Sequence, residues 1–167
     1  MAYYLAFDGV DDNVSFPALN SNSSTFEYEF DWSPTALTDS YNILFGNNQG
    51  SSTARSAVYQ RSTGELEVAF IIGGSRRVFE TSGAGLTVGV RKKLTVIYDG
   101  STLSALIDGS SVGSVSASGT TSGVTGVSRI GFNSGNSTGN IDLYGLRATF
   151  DGVQENFYDP SSTGGTG

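Results

Sequence analysis

The chain is 167 residues long, which is enough for one domain with a substantial core, and only 15% of its residues are charged. Its net charge of −7 argues against nucleic-acid binding, which needs a dense basic surface. Because the chain has no cysteine and no histidine, disulfides, thiolate chemistry, imidazole metal sites and Ser-His relays are excluded.

Short runs of alternating or β-branched residues predict an all-β protein. Gly, Ser or Asn clusters bound most of these runs, and none shows a sustained helical period. Many short strands at regular spacing are typical of a sandwich or a barrel. The predicted strands are residues 3–7, 13–16, 25–32, 41–45, 54–60, 65–72, 76–80, 92–98, 102–107, 111–115, 128–132, 141–150 and 153–158.

Residues 26–32 show the clearest alternation, with an aromatic residue at every even position and an acidic residue at every odd position. Successive side chains of a strand point to opposite faces of the sheet. The four rings are therefore predicted to enter the core. The carboxylates of Glu27, Glu29 and Asp31 are predicted to lie together on the opposite face, and Pro34 to stop the strand.

Two Asp-Gly pairs frame the segment 94–115, which reads as strand, turn, strand, turn, strand. Asp-Gly between alternating apolar runs indicates tight hairpins, because Gly takes positive φ without steric cost and Asp tolerates it. The basic clusters 76–77 and 91–93 are interpreted as solvated strand ends. One domain is predicted over residues 1–160, followed by a flexible tail at 161–167.

Four segments together resemble the laminin G-like, or concanavalin A-like lectin and glucanase, jelly-roll family. They are an opening around Phe7-Asp8-Gly9, the strand that ends in Trp32, the unit 94–115 and the closing strands 129–150. The resemblance implies two antiparallel sheets packed face to face in a jelly-roll sandwich. The predicted core residues are Phe7, Phe26, Tyr28, Phe30, Trp32, Val96, Tyr98, Leu106, Ile130 and Ile141.

The three carboxylates of residues 27–31 raise the hypothesis of a glycosidase, since glycoside hydrolysis needs two carboxylates on one surface. Alternate positions on a strand lie about 6.5–7 Å apart, which permits the required spacing. The order Glu-x-Glu-x-Asp, however, departs from the pattern of laminarinase-type hydrolases of this fold. The alternative is an acidic, solvent-facing strand that resists edge pairing, and we favour a chain with no catalytic residues.

Metal binding would need oxygen ligands, which favours Ca²⁺. Members of the resembled superfamily often hold a structural Ca²⁺ between the N-terminal strands and the closing strand. The resemblance therefore implies Asp8, Asp12 and Asp142 as metal ligands, completed by backbone carbonyls. The alternative is that Asp8 and Asp12 form turns through side-chain hydrogen bonds and that Asp142 is merely exposed. No other cofactor is predicted.

Sugar binding needs exposed aromatic rings together with amides and hydroxyls. The candidate ligand-binding residues on this basis are Tyr41, Asn47, Asn48, Asn133 and Tyr144. The alternative is that these residues belong to the ordinary surface of a β-sandwich.

The favoured function is a non-enzymatic structural or adhesion protein on a virus particle, such as a bacteriophage capsid decoration or tail-associated protein. No signal peptide is visible at the N-terminus, and virion proteins assemble in the host cytoplasm without one. The first alternative is a carbohydrate-binding module, with or without Ca²⁺, of a larger secreted and extracellular protein; a glycosidase is the second. The predicted partners are protein neighbours on a particle or cell-surface glycans, without nucleic acid or membrane insertion, and exposed sheet edges are compatible with a homo-oligomer.

Overall fold

A computed structural model describes residues 4–8, 12–16, 22–37, 42–47, 56–82, 84–121, 128–131 and 140–158. These residues form strands and turns, and among them no helix is long and apolar enough to cross a membrane. The strands build two antiparallel sheets that face each other. The all-β jelly-roll sandwich predicted from the sequence is therefore confirmed.

Thirteen strands follow one another along the described chain, and each predicted strand is found within two residues at either end. The strands are β1 (Leu5–Asp8), β2 (Asn13–Phe16), β3 (Phe26–Pro34), β4 (Asn42–Asn47), β5 (Ser56–Gln60), β6 (Leu66–Ile72), β7 (Ser75–Glu80), β8 (Lys92–Tyr98), β9 (Thr102–Ile107), β10 (Ser110–Ser116), β11 (Ser128–Gly131), β12 (Asn140–Phe150) and β13 (Val153–Tyr158).

The seven-stranded sheet has the order β1-β12-β3-β8-β9-β10, and β13 pairs with β12 on the same side as β1. The six-stranded sheet has the order β2-β11-β4-β5-β6-β7. Strand β3 lies between β12 and β8, so it is a central strand. The interpretation of its carboxylates as a guard against edge pairing is therefore wrong, because β3 has no free edge.

The core lies between the sheets and is dominated by aromatic side chains. The four even-numbered rings of β3 are all buried, as predicted, and Trp32 has no exposed surface. Tyr28 lies 4.9 Å from Phe45 between ring centroids, which joins the two sheets. The Trp32 indole N–H donates to the side-chain oxygen of the fully buried Gln60 at 3.3 Å. Burial of each such side chain contributes about 1.5–3 kcal/mol.

Nine of the ten predicted core residues are buried, and Leu106 is the error. Strand β9 turns Leu103, Ala105 and Ile107 inward, so strict alternation places Leu106 on the outer face. The position of β9 opposite β8 decides the register, with Ala105 facing Val96.

The Asp-Gly turns have the predicted chemistry. Asp108 and Gly109 have φ values of 51° and 80°, and Asp151 and Gly152 have 46° and 82°. Positive φ at both central residues is the type I′ turn, whose twist matches that of the flanking strands. At the first turn of the 94–115 unit, the Asp99 carboxylate accepts backbone N–H bonds from Ser101 and Thr102, both at 2.8 Å.

Strand β12 has two partners along one edge. Residues Asn140–Leu143 face β1, whereas residues Leu146–Phe150 face β13. Between these two stretches, the pairing of β12 with β3 shifts by one residue, from Leu143 opposite Trp32 to Gly145 opposite Asp31. This bulge at Tyr144 turns an extra side chain outward where β1 and β13 meet, which positions the candidate site.

Candidate functional site

A charged groove of about 200 Å³ lies on the outer face of the seven-stranded sheet, at the bulge of β12. Its polar wall comes from alternate, outward-facing positions of three neighbouring strands and from the residue before β8. We define the charged groove by the residues Glu29, Asp31, Arg91, Lys93, Tyr144, Gly145, Arg147 and Tyr158.

Gly145 leaves the floor of the charged groove open. It lies opposite Asp31 on the outer face, where any other residue would project a side chain. A Cβ placed on Gly145 would lie 3.8 Å from both the Asp31 Cβ and the Tyr158 carbonyl oxygen, an ordinary contact distance. The groove therefore owes its depth to a missing side chain rather than to a strained backbone.

Arg91 clamps one side of the charged groove. Its Nε and a terminal nitrogen donate to the two Asp31 oxygens at 2.6 and 2.5 Å, which is the two-pronged geometry of strong arginine–carboxylate pairs. The hydrogen bonds that Arg91 donates to Asp31 are the main reason why the pKa of Arg91 is raised. The guanidinium carbon also lies 4.2 Å from the centroid of the Tyr144 ring, within cation–π range.

Glu29 occupies the centre of the charged groove and is shared by two cations. Lys93 from β8 forms an ion pair with one of its oxygens. Arg147 from β12 approaches the other oxygen at 3.5 Å, which is longer than a well-formed hydrogen bond. Glu29 therefore holds Lys93 closely and Arg147 only loosely.

Tyrosines form the apolar part of the site. Tyr144 projects from the bulge, and the Tyr4 ring packs on it with a centroid distance of 5.4 Å. Tyr158, at the end of β13, is half-buried, and burial raises the pKa of its hydroxyl. The site thus combines ring surfaces with fixed charges, which is typical of pockets that bind polar small molecules.

The basic clusters lie at exposed strand ends, as interpreted, and in addition several of their charges are paired. Arg91 and Lys93 enter the charged groove, and the Lys92 ammonium pairs with Asp108 at 2.8 Å. Arg76 bonds Glu67 at 2.6 Å on the six-stranded sheet. The sequence does not reveal these ion pairs, because the partners are 9 to 64 residues apart along the chain and come close only through strand pairing.

A second ion-pair cluster lies on the outer face of the six-stranded sheet. Glu67 of β6 is buried and pairs with both Arg61 and Arg76. Arg61 also donates to Glu80 at 2.6 Å. We call Arg61, Glu67, Arg76 and Glu80 the balanced cluster, because it holds two cations and two carboxylates.

The predicted acidic face of β3 exists, but its members differ in environment. Asp31 and Glu29 are engaged by cations in the charged groove, whereas Glu27 forms no ion pair with the residues that the structure describes. Glu27 lies two residues before Glu29 on the same face of β3, and its neighbours on the adjacent strands are Ile97 and Thr149. Glycoside hydrolysis needs two carboxyl groups that are free to act on the glycosidic bond, whereas Asp31 and Glu29 are both engaged by cations.

The three aspartates implied as Ca²⁺ ligands occupy neighbouring positions. Asp142 lies opposite Ala6, and Asp8 lies opposite Asn140 two residues further along the pairing of β1 with β12. The Asp12 carboxylate accepts the backbone N–H of Asp8 at 3.0 Å, which is the turn-forming role considered as the alternative. Burial raises the pKa of Asp142.

Among the described residues, no three carboxylates lie close enough together to hold a metal ion. The described side chains alone thus fit a Ca²⁺ ion poorly. A Ca²⁺ site built with backbone carbonyls stays a prediction.

Of the predicted sugar-binding residues, the structure describes Tyr144 and Asn47, and these two lie on different sheets. Tyr144 lines the charged groove, but Asn47 lies on β4 of the other sheet, opposite Ser56 and Ser128. Tyr41, Asn48 and Asn133 lie outside the described residues, as does the predicted tail at 161–167.

The residues that sequence reasoning missed are Arg91, Lys93, Gly145, Arg147 and Tyr158. One signal was available for two of them, because alternation in β8 and β12 puts Lys93 and Arg147 on the side of the sheet that carries the acidic residues of β3. Lys93 reaches Glu29 through the regular pairing of β8 with β3, whereas Arg147 lies opposite Glu29 because of the bulge in β12, which the sequence does not mark.

No protein-family model and no curated protein sequence matches this chain. Solved structures share its fold. Domains LG4-5 of the mouse laminin α1 chain match with a TM-score of 0.70 and 13% identity, over 95% of this chain and 43% of that one. The enzymatically active domain of tailspike protein 2 from bacteriophage CBA120 matches with a TM-score of 0.57 and 10% identity, over 88% and 25%.

The carbohydrate-binding module CBM40 of Ruminococcus gnavus IT-sialidase, solved with α2,3-sialyllactose, matches with a TM-score of 0.50 and 12% identity, over 80% of this chain and 89% of the module. The chain therefore has the laminin G-like, concanavalin A-like jelly-roll fold that its sequence resembles. It spans less than half of the laminin segment and about a quarter of the tailspike chain. Binding modules and enzymes both occur among these folds, so the fold alone assigns neither role.

Proposed function

We propose that this protein is a non-enzymatic, glycan-binding adhesion module whose binding site is the charged groove. The observation that carries the proposal is the arrangement around Gly145, where an open floor is surrounded by tyrosines and by side chains fixed in ion pairs. Sugars present both hydroxyls and apolar C–H faces, so a site for them needs polar groups beside aromatic rings.

The ion pairs prepare the charged groove for a ligand. Arg91 is held by Asp31 and by the ring of Tyr144, and Lys93 is held by Glu29. Side chains that are already ordered lose little rotamer freedom when a ligand binds, which reduces the entropic cost of association. Carboxylate oxygens accept hydrogen bonds from sugar hydroxyls, and the guanidinium and ammonium groups donate to them.

The same ion pairs favour binding over hydrolysis. A glycosidase needs one protonated carboxyl group and a second carboxylate acting as base or nucleophile. In the charged groove, Arg91 engages both oxygens of Asp31 and Lys93 engages Glu29, so neither carboxyl group is free to act on a glycosidic bond. Incubation with β-glucans should therefore release no reducing sugar, and turnover that falls in Glu27→Ala and Glu29→Ala would instead establish a glycosidase.

The test of the glycan proposal is a broad glycan array probed with the labelled protein in Ca²⁺ and then in EDTA. Gly145→Val should fill the floor of the groove and abolish selective binding. Ser104→Val is the matched control, because it adds the same side chain to the outer face of β9, away from the groove. A smaller variant, Gly145→Ala, tests the same floor with minimal risk to folding.

Two results would overturn this proposal: no selective glycan binding by the wild-type protein, or equal binding by wild type and a folded Gly145→Val variant. Binding that is lost in EDTA would add a Ca²⁺ requirement and direct attention to Asp8, Asp12 and Asp142. Binding unaffected by EDTA would support the groove without a metal.

A second proposal concerns where the module works, namely on the surface of a bacteriophage particle. It is supported by the low content of charged residues and by the shared fold of the bacteriophage tailspike domain. Mass spectrometry of purified particles from a phage that encodes this chain should detect it in many copies. Its absence from such particles would favour the alternative, an adhesion module of an extracellular protein.

A further inference from the structure

We propose that the ligand of the charged groove is a saccharide bearing a carboxylate, and that Arg147 receives this carboxylate. The inference rests on the proposed glycan-binding function and specifies the chemical class of the sugar. It follows from the charges within the groove, from the free donors of Arg147 and from the size of the space.

The charged groove carries more positive than negative charge, although the protein as a whole is acidic. It contains three cations, Arg91, Lys93 and Arg147, and two carboxylates. The whole chain has 9 basic and 16 acidic residues, so a local excess of cations runs against the overall composition. An anionic group on a ligand would neutralise the one positive charge that Glu29 and Asp31 do not compensate.

Arg147 is the cation with donors to spare. Its pair with Glu29 is long, at 3.5 Å, and 54% of its side chain is exposed. Its other guanidinium nitrogens make no hydrogen bond within the part of the chain that the structure describes. Arg91 differs, because two of its nitrogens already bond Asp31 and its plane covers Tyr144.

A guanidinium with free nitrogens matches a carboxylate in both charge and shape. The planar fork of arginine can donate two parallel hydrogen bonds to the two oxygens of one carboxylate. Lys93 and Arg147 both approach Glu29, so a ligand carboxylate bound by Arg147 would also lie near the Lys93 ammonium. A neutral sugar would leave the loosely held guanidinium without this partner.

The volume of the charged groove limits how much of a ligand it holds. At about 200 Å³ it is smaller than most small-molecule pockets, which span about 300–1,000 Å³. We therefore expect the site to take one acidic sugar unit rather than a long stretch of a polysaccharide. The rings of Tyr144 and Tyr158 would contact the apolar faces of that unit.

The decisive experiment measures affinity for matched pairs of sugars that differ in a carboxylate, namely sialyllactose against lactose and glucuronic acid against glucose. Titrations at constant ionic strength should show the acidic member of a pair binding about tenfold more tightly, as expected for charge-assisted hydrogen bonds. Arg147→Gln should remove this preference, and Arg147→Lys should retain only part of it.

Glu29→Gln provides a test with the opposite sign. It removes a carboxylate that competes for Arg147 and Lys93, so the ratio of the affinities for the acidic and the neutral sugar should rise, while loss of the ion pair that orders Lys93 lowers both affinities. The matched control is Arg76→Gln, which changes an arginine of the balanced cluster on the other sheet and should leave both affinities unchanged. Thermal unfolding of every variant verifies that it is folded.

The results separate this inference from the proposed function. Equal binding of acidic and neutral sugars would overturn the inference and leave the glycan-binding function standing. An acidic preference that survives in Arg147→Gln, or selective binding of sulfated sugars alone, would also overturn it. Failure of every sugar to bind would overturn the proposed function itself.

Discussion

The outer faces of the two sheets each carry a cluster of ion pairs, and the two clusters are built differently. The balanced cluster on the six-stranded sheet has equal numbers of cations and carboxylates, and its central Glu67 side chain is only 10% exposed. The charged groove has an excess cation, half-exposed side chains, tyrosines and an open floor at Gly145. Equal numbers of opposite charges around a buried carboxylate indicate a structural role. An excess of positive charge beside open space indicates a surface that can bind a ligand.

The largest predicted effect concerns the central carboxylate of each cluster. Glu67→Ala would leave Arg61 and Arg76 close together without the carboxylate between them. Because loss of one partner of a buried pair is costly, we expect a loss of about 2–4 kcal/mol in the free energy of unfolding. Glu29→Ala breaks exposed pairs and should cost less than about 1 kcal/mol.

Urea unfolding of both variants measures this difference directly. Glu67→Gln is a useful companion, since it keeps the shape of the side chain and removes only the charge. Similar losses for Glu67→Ala and Glu29→Ala would mean that the two clusters have the same structural role, and the contrast between them would fail.

A pair of glycines gives the next largest effect and tests whether the floor of the groove is truly open. A Cβ on Gly113 would lie 2.7 Å from the ring of Phe79, whereas a Cβ on Gly145 would make only ordinary contacts. Gly113→Ala should therefore destabilise the fold by about 1–3 kcal/mol through overpacking. Gly145→Ala should change stability by no more than about 0.5 kcal/mol.

Thermal and urea unfolding of the two alanine variants provide the measurement. Each substitution adds the same methyl group, so the difference reports the surrounding space. If Gly145→Ala destabilised the protein as much as Gly113→Ala, the floor of the groove would be packed rather than open, and its role as a binding site would lose its main support.

The fold was predictable because its signals are local. The alternation of residues 26–32 sets which face of β3 is buried, and the Asp-Gly turns set the hairpins through positive φ. Leu106 is the exception, because alternation with the inward-facing Leu103, Ala105 and Ile107 already places it on the outer face.

The charged groove was less predictable because it depends on contacts between distant parts of the chain. Tyr144 was identified as an exposed aromatic residue, but its neighbours were not. Arg91 and Asp31 are 60 residues apart, and Glu29 and Arg147 meet only because β12 is bulged beside β3. Cross-strand pairs of this kind depend on the register between strands. The alternation of apolar and polar residues in either strand does not predict the register at a bulge.

The smallest predicted effect sets the baseline for an exposed ion pair outside both clusters. The hydrogen bond from the Lys92 side chain, with a second from the Lys93 backbone N–H, holds the pKa of Asp108 below its ordinary value. A carboxyl group with a lowered folded-state pKa stabilises the fold above its unfolded pKa of about 3.9, and that stabilisation is lost as the pH falls through the folded value. Asp108→Asn should therefore lower the melting temperature slightly at pH 7, and the deficit should shrink below about pH 4.

Asparagine is the appropriate replacement at this turn because, like aspartate, it tolerates the positive φ of 51° found there. The change thus removes the charge and keeps the type I′ turn. Melting temperatures of wild type and Asp108→Asn across pH 3–7 measure the effect. A deficit that stays constant with pH would assign it to the turn rather than to the ion pair. A deficit at pH 7 as large as that of Glu67→Ala would contradict the distinction between exposed and buried pairs on which the two clusters were compared.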